Sequence, residues 1–414
     1  MKAQSLMKAP ERGVTVRMYR QGLGDCFLLA FPAARERPFY LLIDCGVLLG
    51  TAGGKDKIRG VAEHIKASTD GKIDVLVATH QHWDHLSGFF DAADLFGTIQ
   101  FGEVWLGWTD DPGDPVARRL AQGKKTALAA LRAAAARLAS ASNDSPNRPA
   151  SGIAEDLTWL SSVLAFHGPA PTPAAASPAA RKAGDDAGSS IQQALRFVRD
   201  ELVDQPRYCR PSDPALTPDG LERVRIYVLG PPLDVKMLTR SNPTKTFGDV
   251  FEARQALALN EAGAFYLAAG ALPADSADSE DADADADADA EFDEDEAVEL
   301  SRPFEEDQSI PWSLAEHAEF FQKHYFDAEH DWRRVDDDWL GTAGQLGLQL
   351  DSDTNNTSLA LAIELVESGK VLLFPGDAQV GSWHTWSSLS WTIRDAEGDP
   401  RTITGQELLK RVVF

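Results

Sequence analysis

The sequence predicts a layered α/β fold with one core and two insertions. Three observations carry that expectation. Short apolar, strand-like runs occupy both ends of the 414-residue chain. Helical stretches interrupt them, as in folds where helices cover a sheet. Two long segments of altered composition separate the strand-rich ends.

The N-terminal half of the fold is assigned to residues 1–109. Val14-Thr15-Val16-Arg17-Met18-Tyr19 alternates, while Cys26–Phe31 and Tyr40–Asp44 are short apolar strands. Gly22 and Gly24 punctuate the first connection, and Pro32 to Pro38 the second. Residues 57–67 read as a helix with Ile58, Val61, Ala62 and Ile65 on one face. Ile73–Ala78 is a buried strand that runs directly into Thr79-His80-Gln81-His82-Trp83-Asp84-His85. Val104–Leu106 is a further strand.

Residues 110–220 read as a helical insertion, with an Ala-rich helix at 124–139 and a second helix at 191–203. The stretches 140–151 and 168–190, rich in Pro, Ala, Ser and Gly, read as linkers. A core strand returns within 221–234, at Val224–Leu229, and Gly230-Pro231-Pro232 ends it. Residues 235–345 form the second insertion, whose last part, Trp312 to Leu340, is aromatic-rich and helical. The C-terminal half of the fold is 346–414, with strands at Ser358–Glu364 and Val371–Phe374 and a helix at Gly405–Lys410. Another strand begins at Val412.

Composition narrows the class. Hydrophobic residues make up 43% and charged residues 25%, as in a globular chain. The net charge is −24, and residues 274–299 alone hold 14 acidic side chains and no basic one. Such a run cannot bury enough apolar surface to fold. It is expected to be solvated, or to serve as a handle for a basic partner. The remainder is also acidic, which disfavours broad electrostatic capture of nucleic acid but leaves room for a local basic groove. No apolar run has bilayer length, and Met1 to Arg12 lacks a signal-peptide core. The expectation is a cytoplasmic protein with no membrane partner. Cys26, Cys45 and Cys209 are expected to be buried free thiols, because three scattered cysteines make no disulfide framework.

The chemistry concentrates after the Ile73–Ala78 strand. Three of the nine histidines, with one aspartate, fall within the six residues His80 to His85. His80 and His82 are separated by one residue, so in extended backbone they face one cavity. Asp84 and His85 are adjacent and can serve a second metal. Imidazole with carboxylate suits zinc, manganese or iron. A run of surface histidines is the alternative, but the density and the strand-end placement favour metal.

His-x-His-x-Asp-His after a strand resembles the signature of the metallo-β-lactamase superfamily. Leu41-Leu42-Ile43-Asp44-Cys45-Gly46 resembles its first motif, and Leu373-Phe374-Pro375-Gly376-Asp377-Ala378 its fourth. Gln21-Gly22-Leu23-Gly24-Asp25-Cys26 and Asn355-Asn356-Thr357-Ser358-Leu359 resemble the branch typified by the ComEC competence protein. The resemblance covers both ends of the chain and neither insertion. It implies an αββα sandwich and a site for two zinc ions, with manganese as the alternative. His80 and His82 would hold the first metal, Asp84 and His85 the second, and Asp377 would bridge them. Asp84 and Asp377 would also orient the attacking water as catalytic residues. Asp44 would orient a ligand histidine. By themselves, Asp44 and Asp377 also suit plain turns.

Two departures stand out. The third-motif histidine is missing, and Leu229-Gly230-Pro231-Pro232-Leu233-Asp234 occupies its place. Asp234 is a weak substitute there and also suits a turn. The fifth-motif histidine is missing as well. His384 comes too early, in a helical stretch, and the expected strand starts only at Val412. The expectation is a chain truncated relative to the complete fold. His64, His167, His317, His324 and His330 are assigned to packing or solvent.

The resulting expectation is a metal-dependent hydrolase, a phosphodiesterase or nuclease using metal-activated water. The acidic balance pulls the substrate towards nucleotides or small molecules. One alternative is a regulated effector, such as a bacterial defence effector, whose metal site a regulatory protein controls through the insertions. Another is an ester or lactone hydrolase. The lack of an export signal argues against a β-lactamase.

Overall fold

The computed structural model describes residues 6–141, 150–169, 189–211, 213–240, 310, 312–315, 317–327, 338–394 and 398–414. The acidic run 274–299, most of the 168–190 linker and His330 lie outside the described residues. Two compact units make up the chain. The larger comprises Met1–Ala121, Val163–Ala256 and Asp351–Phe414, and the smaller comprises Gln122–Ser162 and Leu257–Leu350.

In the larger unit six strands lie side by side in chain order. They are β1 (Thr15–Met18), β2 (Phe27–Phe31), β3 (Phe39–Ile43), β4 (Lys72–Val77), β5 (Gln100–Gly107) and β6 (Arg207–Cys209). β1 to β3 form an antiparallel meander, and β3 to β6 run parallel. Parallel neighbours require crossovers. Helix α1 (Gly54–Thr69) supplies the first, and α2 (Trp83–Asp91) with α3 (Ala93–Phe96) the second. The β5–β6 connection carries α4 (Pro115–Ala141), α5 (Ala150–Leu164) and α6 (Ser190–Arg196).

β7 (Val224–Val228), β8 (Leu361–Leu365) and β9 (Lys370–Phe374) form a second, antiparallel sheet. The short α7 (Val235–Leu238) follows β7. The smaller unit holds most of α4 and α5, then α8 (Trp312–Ala315), α9 (Glu319–His324) and the first part of α10 (Asp338–Asn356). In the larger unit α11 (Val380–Trp386), the hairpin β10 (Ser390–Arg394) and β11 (Pro400–Thr404), and α12 (Gly405–Leu409) complete the chain.

Alternation along the strands sorts side chains into three cores. Tyr40 and Leu42 pack with Ile58, Ala62 and Phe89 of the helices. Leu41 and Ile43 pack instead with Ile226, Leu361 and Ile363 of the second sheet. On the far face of that sheet, Tyr227, Ala362 and Val371 pack with Trp386, Trp391 and Leu408. The layer order is therefore helix, sheet, sheet, helix-and-hairpin. Both faces of β3 are covered, which explains its unbroken apolar sequence.

The first insertion differs from its expected 110–220 limits. Residues 163–220 belong to the larger unit. Ile191, Ala194, Leu195 and Val198 bury against the helix-side core, and β6 extends the main sheet. Three residues are too few to show a strand period, so β6 was not legible. α5 likewise starts inside the expected 140–151 linker. After α12, Val412 bridges Val371 in parallel, and Leu373 N donates to Phe414 O at 2.8 Å, where the last strand was expected to begin. Among the described residues no helix is long and apolar enough to cross a membrane. All three cysteines are buried and free.

Candidate metal centre

β4 ends at Val77, and His82 is the extended residue that caps α2 (φ −107°, ψ 151°). His80 and His82 thus project from extended chain onto one side. Asp84 and His85 sit in the first turn of α2, where a carboxylate suits the positive end of the helix dipole. All three imidazoles are about 1% exposed.

The ring nitrogens converge. His80 Nε2 lies 3.1 Å from His82 Nδ1. The Oδ2 of Asp377 lies 3.4 Å from His85 Nε2 and 4.0 Å from His80 Nε2. Asp84 Oδ2 is 3.9 Å from His85 Nε2. Two triads result, His80–His82–Asp377 and Asp84–His85–Asp377, with ligand atoms within 4.8 Å of one another in each. Asp377 belongs to both.

Asp377 owes its position to the second sheet. Gly376 adopts φ 55° to turn the chain after β9, a conformation that favours glycine. Asp377 N then donates to Ser358 Oγ at 3.1 Å, and Gln379 N donates to Asn356 Oδ1 at 3.1 Å. Asn356 and Ser358 are fully buried, so the Asn355–Leu359 run acts as a clamp on the Gly-Asp turn.

Asp44 ends β3 with a left-handed backbone (φ 53°), which aspartate tolerates better than most residues. Its carboxylate accepts from Thr79 N (2.8 Å) and Thr79 Oγ1 (2.6 Å) and lies 2.8 Å from His85 Nδ1. His85 is thereby turned with Nε2 towards Asp377 and Asp84. The next turn packs directly on the site. A Cβ on Gly46 would collide with the carbonyl of Asp84. Asp25 N donates to Asp84 O at 3.0 Å, and Gln21 Nε2 donates to Gly46 O at 2.7 Å.

The electrostatics follow from burial and crowding of like charge. Burial pulls the His85 imidazole down, but Asp44 and Asp377 outweigh it and hold its pKa well above the ordinary value. Burial would raise Asp377, yet His85 and His80 bring it down to about 2. Burial raises Asp84, with Asp377 and Asp44 adding to the rise against His85. Burial also pushes Asp25 up to about 6.

The donor set fits a metal. Two imidazole nitrogens on a tetrahedral zinc lie about 3.3 Å apart, given Zn–N bonds of roughly 2.0–2.1 Å. The His80–His82 pair stands at 3.1 Å. Among the described residues Asp84 Oδ1 is buried without a hydrogen-bond partner, which is costly in the absence of a cation.

The chain matches no family model, no curated protein and no solved structure.

The structure brings His80, His82, Asp84, His85, Asp377 and Asp44 together. Asp234 stands apart. It is exposed, and its side chain caps α7 by accepting from Lys236 N at 3.0 Å. His384 is in α11, as its helical pattern implied. His64 accepts or donates at Tyr19 OH, and His317 is exposed.

Three neighbours of the site were not placed there from sequence. Asp25 groups with Asp44 and His85. Its place directly before a strand, in Gly24-Asp25-Cys26, was the available signal. Asp351 lies 3.7 Å from His82 Nε2, and its spacing of four from Asn355 on a helix was its signal. His167 is fully buried, with its ring 5.1 Å from that of His82. It borders the linker as expected, but nothing local linked it to the motif.

Proposed function

We propose that this protein is a metal-dependent hydrolase of the metallo-β-lactamase superfamily, an αββα sandwich that cleaves phosphodiesters. The observation that carries this is the sharing of Asp377 Oδ2 between the two His/Asp triads. One carboxylate reaching two ligand sets is the arrangement a pair of metals needs.

His80, His82 and Asp377 are the residues for one ion, and Asp84, His85 and Asp377 for the other. Zinc suits the set, and manganese is the alternative. Bound divalent ions would supply an acidified water and positive charge against the substrate oxygens. The chain supplies the rest. Asp44 fixes the ring of His85. Asp84 Oδ1, buried without a hydrogen-bond partner among the described residues, would orient that water and accept its proton. The clamp of Asn356 and Ser358 keeps Asp377 in register with the histidines.

The ComEC-like motifs favour a phosphodiester. The acidic surroundings, with Asp25 and Asp351 beside the cluster and a net charge of −24, disfavour a long polyanion. The substrate is therefore a nucleotide or a short single strand.

The test is metal content per chain, followed by hydrolysis of a dinucleotide, short single-stranded DNA and duplex DNA with zinc or manganese. His82→Ala and Asp84→Ala should abolish metal-dependent cleavage. A metal-loaded chain inert towards all three substrates would end the phosphodiesterase proposal. Failure to bind metal at all would favour an interaction subunit instead.

A further inference from the structure

The three histidines of the centre share a pattern. Each points one ring nitrogen into the cluster and the other at a specific neighbour. For His85 the outer partner is Asp44 at 2.8 Å from Nδ1. For His80 it is the Thr79 hydroxyl at 3.1 Å from Nδ1. For His82 the orientation is reversed. Its Nδ1 faces His80 Nε2 at 3.1 Å, and its Nε2 faces Asp351 Oδ1 at 3.7 Å.

Asp351 is not in any of the groups of converging ligand atoms among the described residues. It stands on the far side of the ring. Its other oxygen accepts from Asn355 Nδ2 at 3.3 Å, one turn further along α10. Among the described residues, the rings of His80, Phe166 and His167 also stand against His82, at centroid distances of 4.7, 5.7 and 5.1 Å.

A neutral imidazole carries its proton on one nitrogen only, and the group facing that nitrogen selects which. The Asp351 carboxylate, 3.7 Å from Nε2, is beyond hydrogen-bond distance, but its negative charge in this buried place favours the proton on that nitrogen. The lone pair is then left on Nδ1, aimed into the cluster. Carboxylate partners of this kind also raise ligand basicity.

We infer that Asp351 is a positioning residue of the metal centre, which favours the Nε2–H tautomer of His82 so that the Nδ1 lone pair faces the metal position. This rests on the metal-site reading proposed above. It gives the end of α10 two tasks. Asp351 orients His82, and a few residues later Asn356 and Ser358 clamp the Asp377 turn. Both triads are thus set by one stretch of chain between Asp351 and Ser358.

The test uses the full chain and zinc alone. Zinc affinity is measured by chelator competition for wild type, Asp351→Ala, Asp351→Asn and His82→Ala. Asp351→Ala should weaken zinc binding by about 10–100-fold. Asp351→Asn retains an acceptor oxygen and should fall between Ala and wild type. Ring ¹⁵N signals of His82 in the metal-free chain should report a preference for Nε2–H in wild type, and that preference should be lost in Asp351→Ala. A merely structural role would lower the urea midpoint of the metal-free chain and leave the tautomer alone. Asp351→Ala with wild-type affinity and tautomer, while His82→Ala loses zinc, would overturn the role of Asp351 and spare the metal site. Wild-type zinc affinity in His82→Ala would overturn both.

Discussion

The Oδ2 of Asp44 lies 2.8 Å from Nδ1 of His85, across 41 residues of chain. The same carboxylate accepts from Thr79 N and Thr79 Oγ1, so one side chain ties the end of β3 to the loop that carries the histidines. Asp44 is fully buried, which makes every one of these contacts consequential.

Asp44→Asn isolates the charge. Asparagine tolerates the left-handed backbone at this position, so the fold should persist. Zinc affinity should drop about 10–100-fold, as for other partners of metal-binding histidines. Chelator competition measures it. Undiminished affinity in Asp44→Asn would show that His85 needs no anionic partner.

Gly46→Ala probes the packing of the first turn on α2. The added methyl group meets the backbone carbonyl of Asp84, which cannot swing aside as a side chain would. Overpacking of this kind costs roughly 1–3 kcal/mol. The midpoint of urea unfolding should fall accordingly, and metal binding should weaken because Asp84 is displaced. A neutral Gly46→Ala would mean that the turn is free to move.

Asp377→Ala removes the carboxylate shared by both triads. If the proposed centre holds about two ions per chain, metal content should drop to one or none. Hydrolysis should decline by about 100- to 10,000-fold, the range for loss of a residue that positions a proton transfer. Elemental analysis of the purified protein decides the first point. Two ions retained in Asp377→Ala would contradict the bridging role.

The metal-free chain should show a distinctive pH profile. Burial lifts Asp25 from 3.8 to about 6, so the folded state holds this proton more tightly than the unfolded state. Stability attributable to Asp25 is then lost as pH rises from 3.8 through about 6. Asp377 acts in the opposite sense. Its carboxyl is depressed to about 2, so its contribution is present above 3.8 and vanishes as pH falls through about 2. Asp25→Asn should flatten the decline between about pH 4 and 6 and leave the acid-side loss intact. Urea unfolding at stepped pH reads both effects. A decline unchanged by the substitution would place its origin elsewhere.

Much of the site was legible because its residues are local. His80, His82, Asp84 and His85 fall within one strand-to-helix junction, and Asp44 and Asp377 each end an apolar strand. Alternating and apolar runs also marked eight strands, from β1 to β5 and β7 to β9, to within a few residues in most cases, while β6 is too short to show a period and the β10–β11 hairpin was not read. Asp25, Asp351 and His167 were not placed at the site because their positions there depend on neighbours far along the chain. His167 is 85 residues from His82, and Asp351 is 269 residues away, yet both face the same ring.

What the sequence determined by itself was the chemistry on offer: the ligand types, their spacing at one junction and the layered α/β class. Periodicity and strand-end placement are local properties, and local properties survive reading one residue at a time. Only the tertiary structure decided that Asp377 Oδ2 reaches both His80 and His85, that Asp44 orients His85, and that Asp351 stands behind His82. Those relations arise where the two sheets pack face to face, and that packing depends on burial shared among residues that no local pattern connects.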